Sequence, residues 1–156
     1  MEPTASEIRI ELNSLKELFH NHSHRGYDQS PQLGASKTVH IKVVDDLTAA
    51  ATGDGKFIFM IPQWWDGMRL IGCHAYVTGA SSSGALTIQL RNVTDSVDML
   101  STALTIDVSE LSSLTAATPA VININNADVS SGDQIAIDVD SSGTSSEGLG
   151  VILLFS

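Results

Sequence analysis

The feature that most constrains this chain is a strict two-residue alternation, repeated in short runs that are punctuated by turn residues. Leu86, Ile88 and Leu90 interleave with Thr87, Gln89 and Arg91; Ile135, Ile137 and Val139 interleave with Ala136, Asp138 and Asp140. Successive side chains of an extended chain point to opposite faces, so this pattern predicts strands with one apolar face and one wet face. The same reading gives strands over 38–44, 56–61, 68–78, 85–92, 103–108, 120–124, 134–140 and 149–155. Between them lie the turn-forming runs TGDG at 52–55, GASSSG at 79–84, SSGD at 130–133 and SSGTSSEG at 141–148. About eight short, one-sided strands without interposed helices predict a mainly β fold. An antiparallel β-sandwich, jelly-roll-like, is the natural form.

The first 36 residues are of another kind. Residues 6–19 carry Ile8, Leu12, Leu15 and Phe19 at spacings of four, three and four, a heptad seam on a short amphipathic helix. Fourteen residues are too few for a helix that stands alone in water, so the seam must pack on something. The chain then runs through HNHSHRGYDQSPQLGAS, which has no apolar periodicity and reads as a linker over 20–36. The expected organisation is a trimerising or docking helix at 1–19, a histidine-rich linker at 20–36 and a β-sandwich at 37–156.

Composition narrows the functional classes. The net charge is −10, and beyond Arg91 there is no Lys or Arg while nine Asp or Glu residues follow. Such a field repels phosphate, so nucleic acid is not an expected partner. It suits a solvated, aggregation-resistant exterior or a face that meets a basic partner. No apolar run reaches the roughly 20 residues that span a bilayer, and the start MEPTASEIRIEL has acids where a signal peptide needs bases. The expectation is a product made in the cytoplasm with no membrane insertion. Cys73 is the single cysteine and sits in an apolar run, which reads as a small buried hydrophobe.

Few residues suggest chemistry. His20, His22 and His24 would line one side of an extended segment, and imidazole binds zinc, iron and nickel well. Two readings stand, a histidine-bearing surface linker or a site on a threefold axis where one histidine position supplies three ligands. No cofactor is required by the reading; an axial Fe, Zn or Ni ion is the one considered. Trp64 and Trp65 form a second candidate, a glycan-stacking platform or a plug at the end of the sandwich with a subunit contact beside it. Asp133, Asp138 and Asp140 lack the spacing of a calcium loop, and Asp138 and Asp140 read as the solvent face of a strand. There is no GxSxG, P-loop or dinucleotide fingerprint, and His40 and His74 lie in separate strands without a foreseeable partner. The expectation is a protein that is not an enzyme.

The stretch from about 66 to 155, with QLRNVTDSVDMLST and TAATPAVI as its distinguishing words, resembles a β-rich structural domain recurrent in tailed-phage genomes. HNHSH is similar to the HxH sites of trimeric phage fibres, where histidines from three chains hold an ion. The resemblance implies a virion structural protein, a homotrimeric capsid decoration protein or short head fibre. Its implied partners are copies of itself and the major capsid protein or another virion protein. It leaves open a tail-fibre role in host attachment, with the sandwich binding a host surface glycan.

Overall fold

The computed structural model describes residues 36–156. The expected helix with its seam Ile8, Leu12, Leu15 and Phe19, and the histidines His20, His22 and His24, lie outside the described residues.

The described residues form a mainly β, antiparallel sandwich. Its strands are β1 (Lys37–Lys42), β2 (Gly53–Met60), β3 (Leu70–Gly79), β4 (Ser83–Asn92), β5 (Val97–Asp98), β6 (Leu100–Thr102), β7 (Leu104–Ile106), β8 (Val121–Ile122), β9 (Gln134–Thr144) and β10 (Glu147–Phe155). One sheet has the order β1-β10-β3; the other runs β2-β9-β4, with β5 and β7 both on the far edge of β4. β6 and β8 form a separate two-stranded ribbon. Beside β3 the chain at Leu111 and Ser112 takes a fourth place, because Val77 N donates to Leu111 O at 2.9 Å and Tyr76 bridges Ser112. Short links join β3 to β4 and β9 to β10 across the two sheets, so β3 stacks on β4, β10 on β9, and therefore β1 on β2. That is the order of a jelly roll.

Each of the eight expected strands has a counterpart, and their alternating residues set the core. Leu86, Ile88 and Leu90 of β4, Ile135, Ile137 and Val139 of β9, and Leu149, Val151, Leu153 and Phe155 of β10 are all buried. Fully burying such a side chain contributes about 1.5–3 kcal/mol. Trp65 closes one end by packing its ring against Phe155, with centroids 5.5 Å apart and planes tilted by 35°.

Three expectations need correction. The run 141–148 is not one long turn. β9 continues through Thr144 and β10 begins at Glu147, which leaves only Ser145 and Ser146 between them. Serine hydroxyls make this possible by acting as extra backbone partners: Ser141 Oγ donates to Ala85 O at 2.8 Å, and Thr144 N donates to Ser81 Oγ at 3.0 Å. Likewise β2 begins inside TGDG, with a register slip between Gly53 and Phe57 that accommodates Gly55 at φ +58°. Finally, Asp138 is buried rather than on a solvent face. It lies on the outer side of a central strand, where Gly55 N donates to its Oδ1 and the Arg91 guanidinium covers it.

Cys73 faces inward opposite Leu153 and packs on the core. Burial pushes its thiol pKa up to about 11 from an ordinary 9.0. Two units mean roughly 100-fold less thiolate near neutral pH. Alkylation of the folded protein by iodoacetamide should therefore run at least 100-fold slower than that of free cysteine, with full reactivity returning in denaturant.

Candidate functional site

Among the described residues the sandwich is sealed on one flank and open on the other. On the β4–β7 flank the inward residues Leu86, Ile88, Leu104 and Ile106 are at most 1% exposed. On the β1–β2 flank Phe57 faces inward opposite Ile137, as the pairing register requires, yet remains 37% exposed. Phe59 opposite Ile135 and Val39 opposite Leu153 are also only partly covered. The outward residues of β2 extend this apolar surface, with Ile58 50% and Met60 64% exposed. Among the described residues β2 pairs on one side only, with β9, so no strand of residues 36–156 takes up the backbone groups of its other edge. A long apolar edge strand invites pairing or packing by another chain, and folded proteins normally blunt or cover it. Here the only charged side chains on β2 are Asp54 and Lys56, both toward its start.

The two outer sheet faces differ in chemistry. On the β1-β10-β3 face the register sets Thr38, Leu154 and Gly72 in one row, His40, Ile152 and His74 in the next, and Lys42, Gly150 and Tyr76 in a third. The structure thus brings His40 and His74 onto one face, flanking Ile152, with their backbones about 10 Å apart across two strand spacings. Tyr76 lies over Gly150, close enough that a Cβ there would meet the ring. Among the described residues these rows contain no carboxylate, in a chain of net charge −10. Asp46 in the following loop pairs with Lys42 at 2.8 Å, and Glu110 adjoins the sheet through the Leu111–Ser112 segment beside β3.

The opposite face is acidic. Asp138 and Asp140 lie on the outer side of β9, and Asp54 of the adjoining β2 and Asp98 of β5, beyond β4, are near enough to act on Asp140. Arg91 Nε sits 3.2 Å from Asp138 Oδ2 but is not aligned for a hydrogen bond, so the contact is a charge pair rather than a donor–acceptor pair. Partial burial raises the Asp140 pKa, and the charges of Asp138, Asp54 and Asp98 raise it further. The ionised Asp140 therefore opposes folding above that raised pKa, and the opposition lifts as pH falls through it. No group of three metal-ligating side chains is found among the described residues.

Trp64 and Trp65 separate completely in environment. They lie in a short 3-10 turn, Gln63–Trp65, just after β2. Trp65 is half-buried on Phe155, whereas Trp64 is 78% exposed. Neighbouring Asp66 is occupied structurally, accepting from Ser131 N at 2.8 Å. Asn92 is fully buried and donates to Asp95 and Asp133. The open flank itself was not signalled by the sequence, since Phe57 and Phe59 alternate like any buried strand. Comparison of the chain with protein-family models, with curated proteins and with solved structures returned no match.

Proposed function

We propose that this chain is a non-enzymatic structural protein of a tailed-phage virion, a homotrimer that decorates or stabilises the particle surface as a capsid decoration protein or short head fibre. One observation carries the assembly part: the apolar flank with Phe57, Ile58 and Met60 exposed, which a chain this acidic would not keep open to water as its working state. The net charge of −10 supports an exterior role, because a strong net charge of one sign keeps particles apart in solution. The phage assignment rests on the sequence resemblance. The fold is compatible by analogy alone, since jelly rolls build viral capsid and lectin domains alike.

A second reading rests on Trp64. A tryptophan 78% exposed on a turn is a stacking surface for a sugar ring, as a tail-fibre module for host attachment would need. It stands on a turn between strands with only the structurally engaged Asp66 beside it, so the assembly reading is preferred. Binding of host glycans that Trp64→Ala abolishes would bring this second reading forward.

The test of the first is the solution mass of the full chain by light scattering, with and without a chelator. The expected result is a mass near three times 16.5 kDa. A fall in mass with chelator would add the axial ion at His20, His22 and His24; an unchanged trimer would leave those histidines as linker. A monomer under all conditions would count against the trimer.

A further inference from the structure

We propose that the start of β2 is a proton-sensitive clasp: residues 54–56 are held to β9 through the Asp138 side chain and lift from it when the carboxylates around them are all ionised. The register requires a tie of this kind. Gly53 pairs with Val139 and Phe57 with Ile137, so 54, 55 and 56 on β2 stand opposite 138 alone. A bulge leaves backbone groups without partners in the ladder. Here the Asp138 carboxylate takes up one of them, accepting from Gly55 N through Oδ1. Asp138 is buried, and Arg91 of β4 stands 3.2 Å from its other oxygen, so the acceptor is fixed in place. Among the described residues β2 is the last strand of its sheet, and no further strand holds the bulge from its other edge.

Like charge gathers at the same place. Asp54 stands in the bulge, Asp140 follows Asp138 on the same side of β9, and Asp98 of β5 lies beyond β4. Among the described residues Arg91 and Lys56 are the cations beside them, and only Arg91 forms an ion pair, with Asp138. Partial burial, and then the charges of Asp138, Asp54 and Asp98, hold the Asp140 pKa above its ordinary value. Above that raised pKa the ionised Asp140 repels Asp54, and lifting the bulge relieves the repulsion without breaking a strand pairing. The flanking segments are anchored: Thr48 O and Ala50 N bond to Gly148 N and Ser146 O, and Phe57 to Met60 pair with β9. As pH falls through the raised pKa, Asp140 becomes neutral, the repulsion goes, and the bulge closes on Asp138.

The test follows amide hydrogen exchange of the full chain between neutral and mildly acidic pH, corrected for the intrinsic exchange rates. Gly55 reports on the bulge, and the amides of 58–60 serve as a control within the same strand. Protection at Gly55 is expected to rise about two- to fivefold on acidification relative to 58–60, the size of one exposed charge contact. Asp140→Asn, at an exposed position, is expected to show the raised protection already at neutral pH and to lose the pH dependence. Asp54→Asn, also exposed, should behave in the same way. Asp138→Ala is expected to strip Gly55 of protection at every pH while 58–60 keep theirs. Protection at Gly55 that ignores pH in the wild type, or that follows pH equally in Asp140→Asn, would overturn the clasp. An equal change at 58–60 would overturn it too, because the whole strand rather than the bulge would then be responding.

Discussion

Replacing Phe155 by alanine is expected to lower the unfolding free energy by about 3–5 kcal/mol, the range for emptying a buried aromatic site. Phe155 is fully buried near the chain end and closes the sandwich with Trp65, whose ring lies 5.5 Å away. Leu70 is paired directly opposite on β3, and Lys37 opposite on β1. A domain of this size would lose on the order of 15 °C in Tm. Thermal denaturation followed by tryptophan fluorescence checks this twice, because Trp65 should become more solvent-exposed in the folded variant while Trp64 is exposed already. A loss below about 1 kcal/mol would mean that the end of the sandwich is held by something other than this ring pair.

Gly143→Ala is expected to cost about 2–4 kcal/mol, far more than a serine-rich run on the surface would suggest. Gly143 has φ +62°, a conformation that charges an L residue about 1–2 kcal/mol. A Cβ added there would stand 2.6 Å from the backbone oxygen of Gly84 and would also strike Ser81. Ser81 is buried, and its hydroxyl ties the two crossover links together: it donates to Gly84 O at 2.7 Å and accepts from Thr144 N at 3.0 Å. Displacing it leaves buried backbone groups without partners, which costs about 1–3 kcal/mol. Urea denaturation should show the loss as a lower midpoint at unchanged slope. A cost of only a few tenths of a kcal/mol would mean that the β3–β4 and β9–β10 links move freely past each other.

Gly143 also shows where sequence reasoning stops. Alternating residues such as Ile135, Ile137 and Val139 mark the strands because burial on one face is a local, two-residue signal. Glycine and serine are ambiguous by the same logic. In 141–148 they read as turn formers, yet Ser141 and Ser81 supply hydroxyls to backbone groups that a strand pairing leaves free. The short strands β5 and β6, at Val97–Asp98 and Leu100–Thr102, carry too few residues for alternation to register. Asp138 is buried because β9 lies between β2 and β4, and a single sequence does not reveal which strands become neighbours. The same ignorance hides the candidate site. Phe57 and Phe59 alternate as well as any core pair, and Phe57 is exposed and Phe59 only partly covered because β2 is the last strand of its sheet among the described residues. His40 and His74 lie 34 positions apart in sequence and share a face only through the pairing of both strands with β10. Trp64 and Trp65 are a different case, since two adjacent bulky rings on a turn cannot both be buried at one end of a sandwich.

The central claim is that the β2 flank is covered in the proposed homotrimer, and Met60 reports on it directly. Met60 is 64% exposed in the single chain while Met99 is fully buried, so the two methionines bracket the scale within one molecule. Mild peroxide oxidation of the full chain at high concentration, read by peptide mass spectrometry, compares their rates of sulfoxide formation. The account predicts that Met60 resists oxidation nearly as well as Met99, because a neighbouring copy shields it. Oxidation of Met60 as fast as that of free methionine would contradict the account and leave the flank open to water.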